Sequence, residues 1–265
     1  MYSAFTLAKK YAAWYRKAAN SKGHGVHSPF VFNFIKFIKN DKKHYEFYDR
    51  AEAARKELLR NDSLLEVEDL GAGSGLLKTK RRTVKSIAAT SLKPKKFARL
   101  FYRMVKYYEA KTIVELGTSL GITTSYLAAT NENAAVITLE GSSAIASVAK
   151  NNFEKLGLQN IKIITGNFDT ELAPLLKTIS APDLVFVDGN HRKEPTIRYF
   201  ELLLQHKHKG SMIIFDDIHW SEEMEDAWEI IKQNEEVRLS IDLFFVGIIF
   251  FDSAFKEKQH FAVRF

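Results

Sequence analysis

The run Thr112-Ile-Val-Glu115-Leu-Gly117-Thr118-Ser119-Leu-Gly121-Ile-Thr-Thr-Ser, followed by Val136-Ile-Thr-Leu-Glu140, constrains the fold of this chain more than any other stretch. An apolar run of strand length, a glycine turn opening a helix, and a second apolar run ending in an acid are the parts of a βαβ unit. Glycines let the backbone approach a ligand closely, and a helix N-terminus offers free N–H donors. An acid closing the second strand can accept both hydroxyls of a ribose, as in the nucleotide-cofactor crevices of doubly wound sheets. The turn reads Glu-x-Gly-x-x-x-Gly, not Gly-x-Gly-x-x-Gly.

The same alternation continues from Pro94. A helix over Lys95 to Glu109 leads into a strand at Thr112 to Leu116 and a helix at Ile122 to Thr130. Strands follow at Ala135–Leu139, Ile161–Thr165, Leu184–Val187 and Ser211–Phe215, each trailed by a helical segment: Ser142–Leu156, Thr170–Ile179, Glu194–Gln205 and Glu222–Gln233. Val237–Leu243 and Phe245–Phe251 have almost no connector, so they can pair only antiparallel. Residues 1–93 lack this alternation and read as a mostly helical extension, with helices at Tyr2–Ala19, Phe30–Ile38 and Tyr48–Leu59 and a short strand at Leu64–Asp69. Two domains are expected, 1–93 and 94–265.

Hydrophobic content of 46% with 12% aromatic residues excludes global disorder. No window holds the ~20 apolar residues that span a bilayer. The first residues lack the apolar core of a signal peptide, and the absence of cysteine removes disulfides, thiolate zinc sites and cysteine nucleophiles. A cytoplasmic protein is the expectation. The net charge of +7 is uneven: Lys78, Lys80, Arg81, Arg82, Lys85, Lys93, Lys95 and Lys96 run together without an acid. Such a run is either a solvated face or a footprint for an anionic partner: nucleic acid, a phospholipid headgroup or a phosphorylated metabolite.

Asp69-Leu-Gly71-Ala-Gly73-Ser-Gly75 matches a cofactor string better than the site chosen here. Its context does not fit, because a helix and an acid-ended strand about 20 residues later are required, and Lys78-Thr-Lys-Arg-Arg follows instead. It reads as a turn or a loop over the active site.

Chemistry gathers at two later strand ends. Asp183-Leu-Val-Phe-Val-Asp188-Gly-Asn190-His191 and Ser211-Met-Ile-Ile-Phe-Asp216-Asp217-Ile-His219-Trp220 each place acid at the carboxyl edge of a strand. Such aspartates can simply cap the next helix. Converging carboxylates also repel one another unless a cation sits among them, and all-oxygen ligands suit Mg²⁺ or Ca²⁺.

Glu115-Leu-Gly117, Asp188 with a basic residue three later, and Asp216-Asp217 with Trp220 resemble the metal-dependent O-methyltransferases of the catechol and caffeoyl-CoA type, within the class I S-adenosylmethionine-dependent methyltransferases. The segment His24-Gly-Val-His27-Ser-Pro-Phe resembles uncharacterised bacterial members of that superfamily. The resemblance covers roughly Pro94 to Phe265. It implies an α/β fold, a doubly wound Rossmann-like seven-stranded sheet with a C-terminal antiparallel hairpin. It implies Asp188, Asp216 and Asp217 as ligands to Mg²⁺ or another divalent cation. His191 stands where the family has a lysine base, and Asp217 where it has an asparagine. S-adenosylmethionine would lie on Gly117, Thr118, Ser119 and Gly121, with Glu115 at its ammonium, Glu140 and Gly141 at its ribose, Asn167 or Phe168 at its adenine and Asp188 beside it.

The implied reaction is methyl transfer to a small hydroxylated, anionic acceptor, with His191 as the base and the N-terminal helices as a cap or dimer surface. Two other readings stay open: a nucleic-acid methyltransferase using residues 78–96, and a cofactor-binding scaffold without catalysis. Among the remaining polar residues, His24 and His27 suit loop hydrogen bonds better than metal, His206 and His208 a helix end, His219 a second base, and Trp220 a pocket wall or packing.

Overall fold

The computed structural model describes residues 1–20, 22–23, 26–69 and 78–265. They form two compact units: Lys42–Thr178, and Met1–Asp41 together with Ile179–Phe265. Residues 1–93 are thus divided between both.

In the unit Lys42–Thr178, strands β3 (Thr112–Leu116), β4 (Ala135–Glu140) and β5 (Ile161–Thr165) are parallel neighbours. β3 and β4 are almost wholly buried, as parallel strands covered on both faces are, whereas β5 alternates exposed and half-buried residues as an edge strand. Helix α6 (Ile122–Ala128), between β3 and β4, has every residue buried. Helices α3 (Glu46–Leu58), α5 (Lys95–Tyr108) and α7 (Ser143–Lys155) belong to this unit too, and α3, α5 and α6 share a core around Tyr48, Ala98, Tyr102 and Tyr126. Helix α8 (Phe168–Leu176) starts two residues before the expected helix because the Asn167 side chain accepts the Asp169 N–H as its cap.

Two elements here escaped the sequence. β1 (Leu64–Asp69) pairs antiparallel with β2 (Lys78–Thr83), and α4 (Val84–Ser91) follows, capped by Thr83. The basic run therefore lies along a strand and a helix. Its neighbour across the ladder is the acidic β1, with Glu66 opposite Arg81 and joined to it at 3.0 Å. Lys85 lies 3.5 Å from Asp62. The glycine string at 70–75 falls outside the described residues, as does His24.

In the other unit, α1 (Ala4–Lys17), α2 (Pro29–Asn33) and a π-helical turn at Phe34–Lys39 precede the strands. The expected helix Phe30–Ile38 thus widens midway, which puts Phe34, Ile35, Ile38 and Lys39 on one buried face. β6 (Leu184–Val187) and β7 (Met212–Asp216) are parallel, and α9 (Lys193–Leu204) packs against α10 (Glu222–Gln233). β8 (Leu239–Asp242) and β9 (Val246–Phe250) form the expected antiparallel pair, with β9 also antiparallel to β7. β10 (Gln259–Ala262) runs parallel to β8, so the described strands beyond the separate β1–β2 pair number eight, one more than the seven expected. The strand order is β10-β8-β9-β7-β6 in this unit and β3-β4-β5 in the unit Lys42–Thr178, with parallel pairs in the majority, an α/β arrangement.

Candidate active site

The glycine turn lies between β3 and α6. Gly117 (φ 107°), Ser119 (φ 48°) and Gly121 (φ 80°) all adopt left-handed backbone, which bends the chain sharply enough to start α6 at Ile122. At Gly121 a Cβ would also meet Phe153 Cε1 at 2.6 Å and Ala149 Cβ at 3.0 Å, so close packing of the turn on α7 is a second reason for glycine.

Glu115 is fully buried. Its Oε2 accepts the hydroxyls of Thr124 on α6 and Thr138 on β4, the latter at 2.6 Å, and Thr138 Oγ1 is 2.6 Å from Thr118 Oγ1. The carboxylate fastens strand, turn and helix to one another. It has no exposed surface, and its described contacts organise the turn.

Glu140 ends β4. Its Oε2 accepts Ser119 N–H at 2.8 Å and its Oε1 accepts Ser142 N–H at 3.0 Å. Burial pushes its carboxyl up, only partly offset by hydrogen bonds from the Ser142, Ser119 and Gly141 amides. A carboxylate offers about four lone-pair sites, so each oxygen keeps capacity for a ligand hydroxyl. Ser119 Oγ and Ser142 Oγ on either side are buried without a hydrogen-bond partner. These are the features a ribose-binding acid needs, and they fit the adenosyl cofactor. Asn167 spends its side-chain oxygen on capping α8, and Phe168 is the first residue of that helix.

In the other unit, the ends of β6 and β7 bring together Asp188, His191 and Asp216, with one ligand atom from each lying within 4.8 Å of the others. His191 Nε2 is 3.7 Å from Asp188 Oδ1, and Asp216 is only 2% exposed. Two carboxylates and an imidazole are a donor set that fits a divalent cation. Asp217 is not in this group; it takes left-handed backbone (φ 54°) and donates its N–H to Phe245 O at 2.7 Å.

His219, the other base candidate, is committed on both sides. Its Nδ1 lies 3.1 Å from Glu225 Oε1 and its Nε2 2.9 Å from Asp242 Oδ2, with the ring stacked on Phe244. Burial opposes its charge, but the two carboxylates outweigh this and raise its pKa above the ordinary histidine value. An imidazole donating from both nitrogens has no lone pair left to take a proton. Glu225 also accepts Tyr2 Oη and Lys10 Nζ, each at 2.8 Å, and Tyr2 N–H donates to Trp220 O. This hub escaped the sequence because Tyr2 and Lys10 lie more than two hundred residues from Glu225. His206 Nδ1 lies 3.0 Å from Leu202 O, and His208 Nε2 lies 3.1 Å from Asp183 Oδ1.

Residues 114–218 match a family model described as a methyltransferase domain. An uncharacterised protein of Acanthamoeba polyphaga mimivirus is 32% identical over 85 residues, 31% of this chain and 38% of that relative. Among solved structures, an O-methyltransferase from Bacillus cereus in complex with S-adenosylhomocysteine (SAH) superposes with a TM-score of 0.58 at 18% identity, over 81% of this chain and 96% of that one. An SAH-bound Podospora anserina methyltransferase superposes at 0.59 and 14% identity, over 95% and 98%. An O-methyltransferase from Streptomyces achromogenes in complex with S-adenosylmethionine gives 0.57 and 16%, over 82% and 95%. Over residues 114–218 the chain is therefore similar to a methyltransferase domain, and its fold is like that of these solved methyltransferases.

Proposed function

We propose that this protein moves the methyl group of S-adenosylmethionine onto a hydroxyl oxygen of a small acceptor. The observation that carries the reading is Glu140, a buried carboxylate at the end of β4 held by the amides of Ser119 and Ser142 with acceptor capacity to spare. The methyltransferase-domain match over the same segment supports it, as does the presence of SAH or S-adenosylmethionine in relatives of this fold.

In the reaction, an oxygen lone pair forms the new O–CH₃ bond while the S–CH₃ bond breaks and its electrons return to sulfur as a neutral thioether. The sulfonium already activates the methyl group, so the protein has to supply orientation and an oxygen stripped of its proton. Gly117, Thr118, Ser119 and Gly121 would hold the methionine end, Glu140 and Gly141 the ribose, and Asn167 and Phe168 the adenine. Asp188, His191 and Asp216 would hold a divalent cation, which when bound lowers the pKa of a coordinated hydroxyl. The charge of +7 favours an anionic acceptor. The described residues contain no helix long and apolar enough to cross a membrane.

The test is calorimetry with SAH, followed by transfer of labelled methyl from S-adenosylmethionine to a panel of phenols, catechols and sugar hydroxyls. Binding of SAH with label appearing on oxygen is the expected result. A chain that takes up no SAH at millimolar concentration would overturn the reading, and SAH binding with no label transferred to any acceptor would bring the scaffold reading to the front.

A further inference from the structure

We propose that His191 is a metal ligand rather than the base, and that the site it forms with Asp188 and Asp216 selects a borderline transition-metal dication over Mg²⁺. This assignment rests on the proposed reading of the same site.

The geometry of the three side chains leads to it. His191 Nε2 and Asp188 Oδ1 are 3.7 Å apart. That is too long for a hydrogen bond, which ends near 3.2 Å for nitrogen and oxygen. It is a natural separation for two atoms sharing a cation. With metal–ligand bonds of about 2.1 Å, neighbouring ligands lie roughly 3.0 Å apart and opposite ones roughly 4.2 Å apart. All three ligand atoms lie within 4.8 Å of one another, a bound about 0.6 Å wider than that span. Asp216 ends β7 and Asp188 directly follows β6, its parallel neighbour, so the sheet fixes the spacing of the two carboxylates, and His191 follows in the turn before α9. Asp216 is nearly wholly buried, whereas Asp188 and His191 are partly exposed and leave an open side where an acceptor oxygen could enter.

Donor chemistry then decides which ion. Mg²⁺ prefers oxygen throughout and strict octahedral geometry, while imidazole suits Zn²⁺, Fe²⁺, Co²⁺ and Ni²⁺. One nitrogen in a set of three moves the preference toward the latter group. Asp217, the residue that would have made the set all-oxygen, stands outside the group. The ring nitrogen that faces Asp188 also cannot bind a cation and accept a proton at once. The acceptor's hydroxyl proton therefore leaves to solvent water as its oxygen enters the site, and no side chain has to carry it.

Titration calorimetry with Zn²⁺, Co²⁺ and Mg²⁺, on the full chain and on His191→Ala, tests this without relying on turnover. Zn²⁺ and Co²⁺ should bind the wild type one per chain and far more tightly than Mg²⁺. His191→Ala should weaken Zn²⁺ and Co²⁺ by at least about 10–100-fold, the cost of disturbing even an outer partner of a metal ligand. Its Mg²⁺ affinity should barely move. Equal affinities for the three ions in the wild type, or an equal loss for all three in the variant, would overturn the assignment. SAH titrated into the same samples reports on the cofactor site separately, and its binding to the variant shows that the variant is folded. Metal discrimination without SAH binding would support the ligand role and sink the methyl-transfer reading, and SAH binding without discrimination would do the reverse.

Discussion

His219 shows how environment sets the role of a single residue. By sequence it stands two residues beyond an Asp-Asp pair and qualifies as a base. In the structure both nitrogens are engaged by carboxylates, so it serves as a structural cation. Because its pKa is raised on folding, its contribution to stability is complete below the ordinary histidine value, about 6.5, and fades as pH rises through the folded one. The melting temperature of wild type minus that of His219→Ala should therefore shrink as pH is raised from 6 upward. At pH 6 the variant should lose about 1.5–3 kcal/mol, the worth of a hydrogen bond to a charged group. A difference that does not vary with pH would show that the ring is neutral. Glu140 is the contrasting case, since its position was legible from an acid at the end of an apolar strand. Glu140→Ala should weaken SAH roughly 10–100-fold by calorimetry, corresponding to about 1.5–3 kcal/mol for its charged hydrogen bonds, and unchanged affinity would remove it from the ribose.

Elements with strong apolar runs could be read from the sequence almost to the residue. β3, β5 and β6 lie where their Val, Ile and Leu content places them, and α10 spans the expected Glu222–Gln233. β2, α4 and β10 could not be read. β2 is Lys-Thr-Lys-Arg-Arg-Thr and has no apolar alternation, because its pairing depends on the acidic strand opposite. β10 is a four-residue strand, too short for a period to show. In α6 the reverse holds. A helix rich in Thr and Ser looks surface-bound, yet it is buried all round because Glu115 takes the Thr124 hydroxyl and Gly121 O takes that of Ser125. Glu115→Gln would halve the acceptor strength of that anchor. The turn below is as demanding. Gly121→Ala should cost about 1–2 kcal/mol for left-handed backbone alone, and overlap with Phe153 adds about 1–3 kcal/mol more. Chemical denaturation checks this, and a variant as stable as wild type would mean that α7 moves aside at no cost.

Across the whole molecule, the sequence disclosed the order of elements and the acids at the strand ends, because both are local signals. It did not disclose which side chains meet. Asp217 looked equivalent to Asp216 and is not, since one residue of backbone turn sends it elsewhere. The excess of positive charge also reads differently once folded, as Arg81 and Lys85 face acids that the linear run did not contain. Such exposed pairs contribute little stability, about 0–1 kcal/mol each, but they reduce the field that a nucleic acid would feel.

The tie between α1 and the Trp220–Glu225 segment has a consequence in time. Helix α1 has no buried residue of its own, and its anchors, Lys10 and Tyr2 on Glu225 and Arg264 on Tyr15 O, span 215, 223 and 249 residues. It is synthesised more than two hundred residues ahead of the groups that hold it. Contacts of such separation form late, because the intervening loop must close before they reward it. Refolding followed by Trp14 fluorescence should show a final phase that Lys10→Ala slows or diminishes while far-UV signal recovers normally. Until that phase is over, Tyr11 and Trp14 lack the Phe244 ring against which they pack in the fold, and that interval is when a nascent chain of this kind most needs a chaperone.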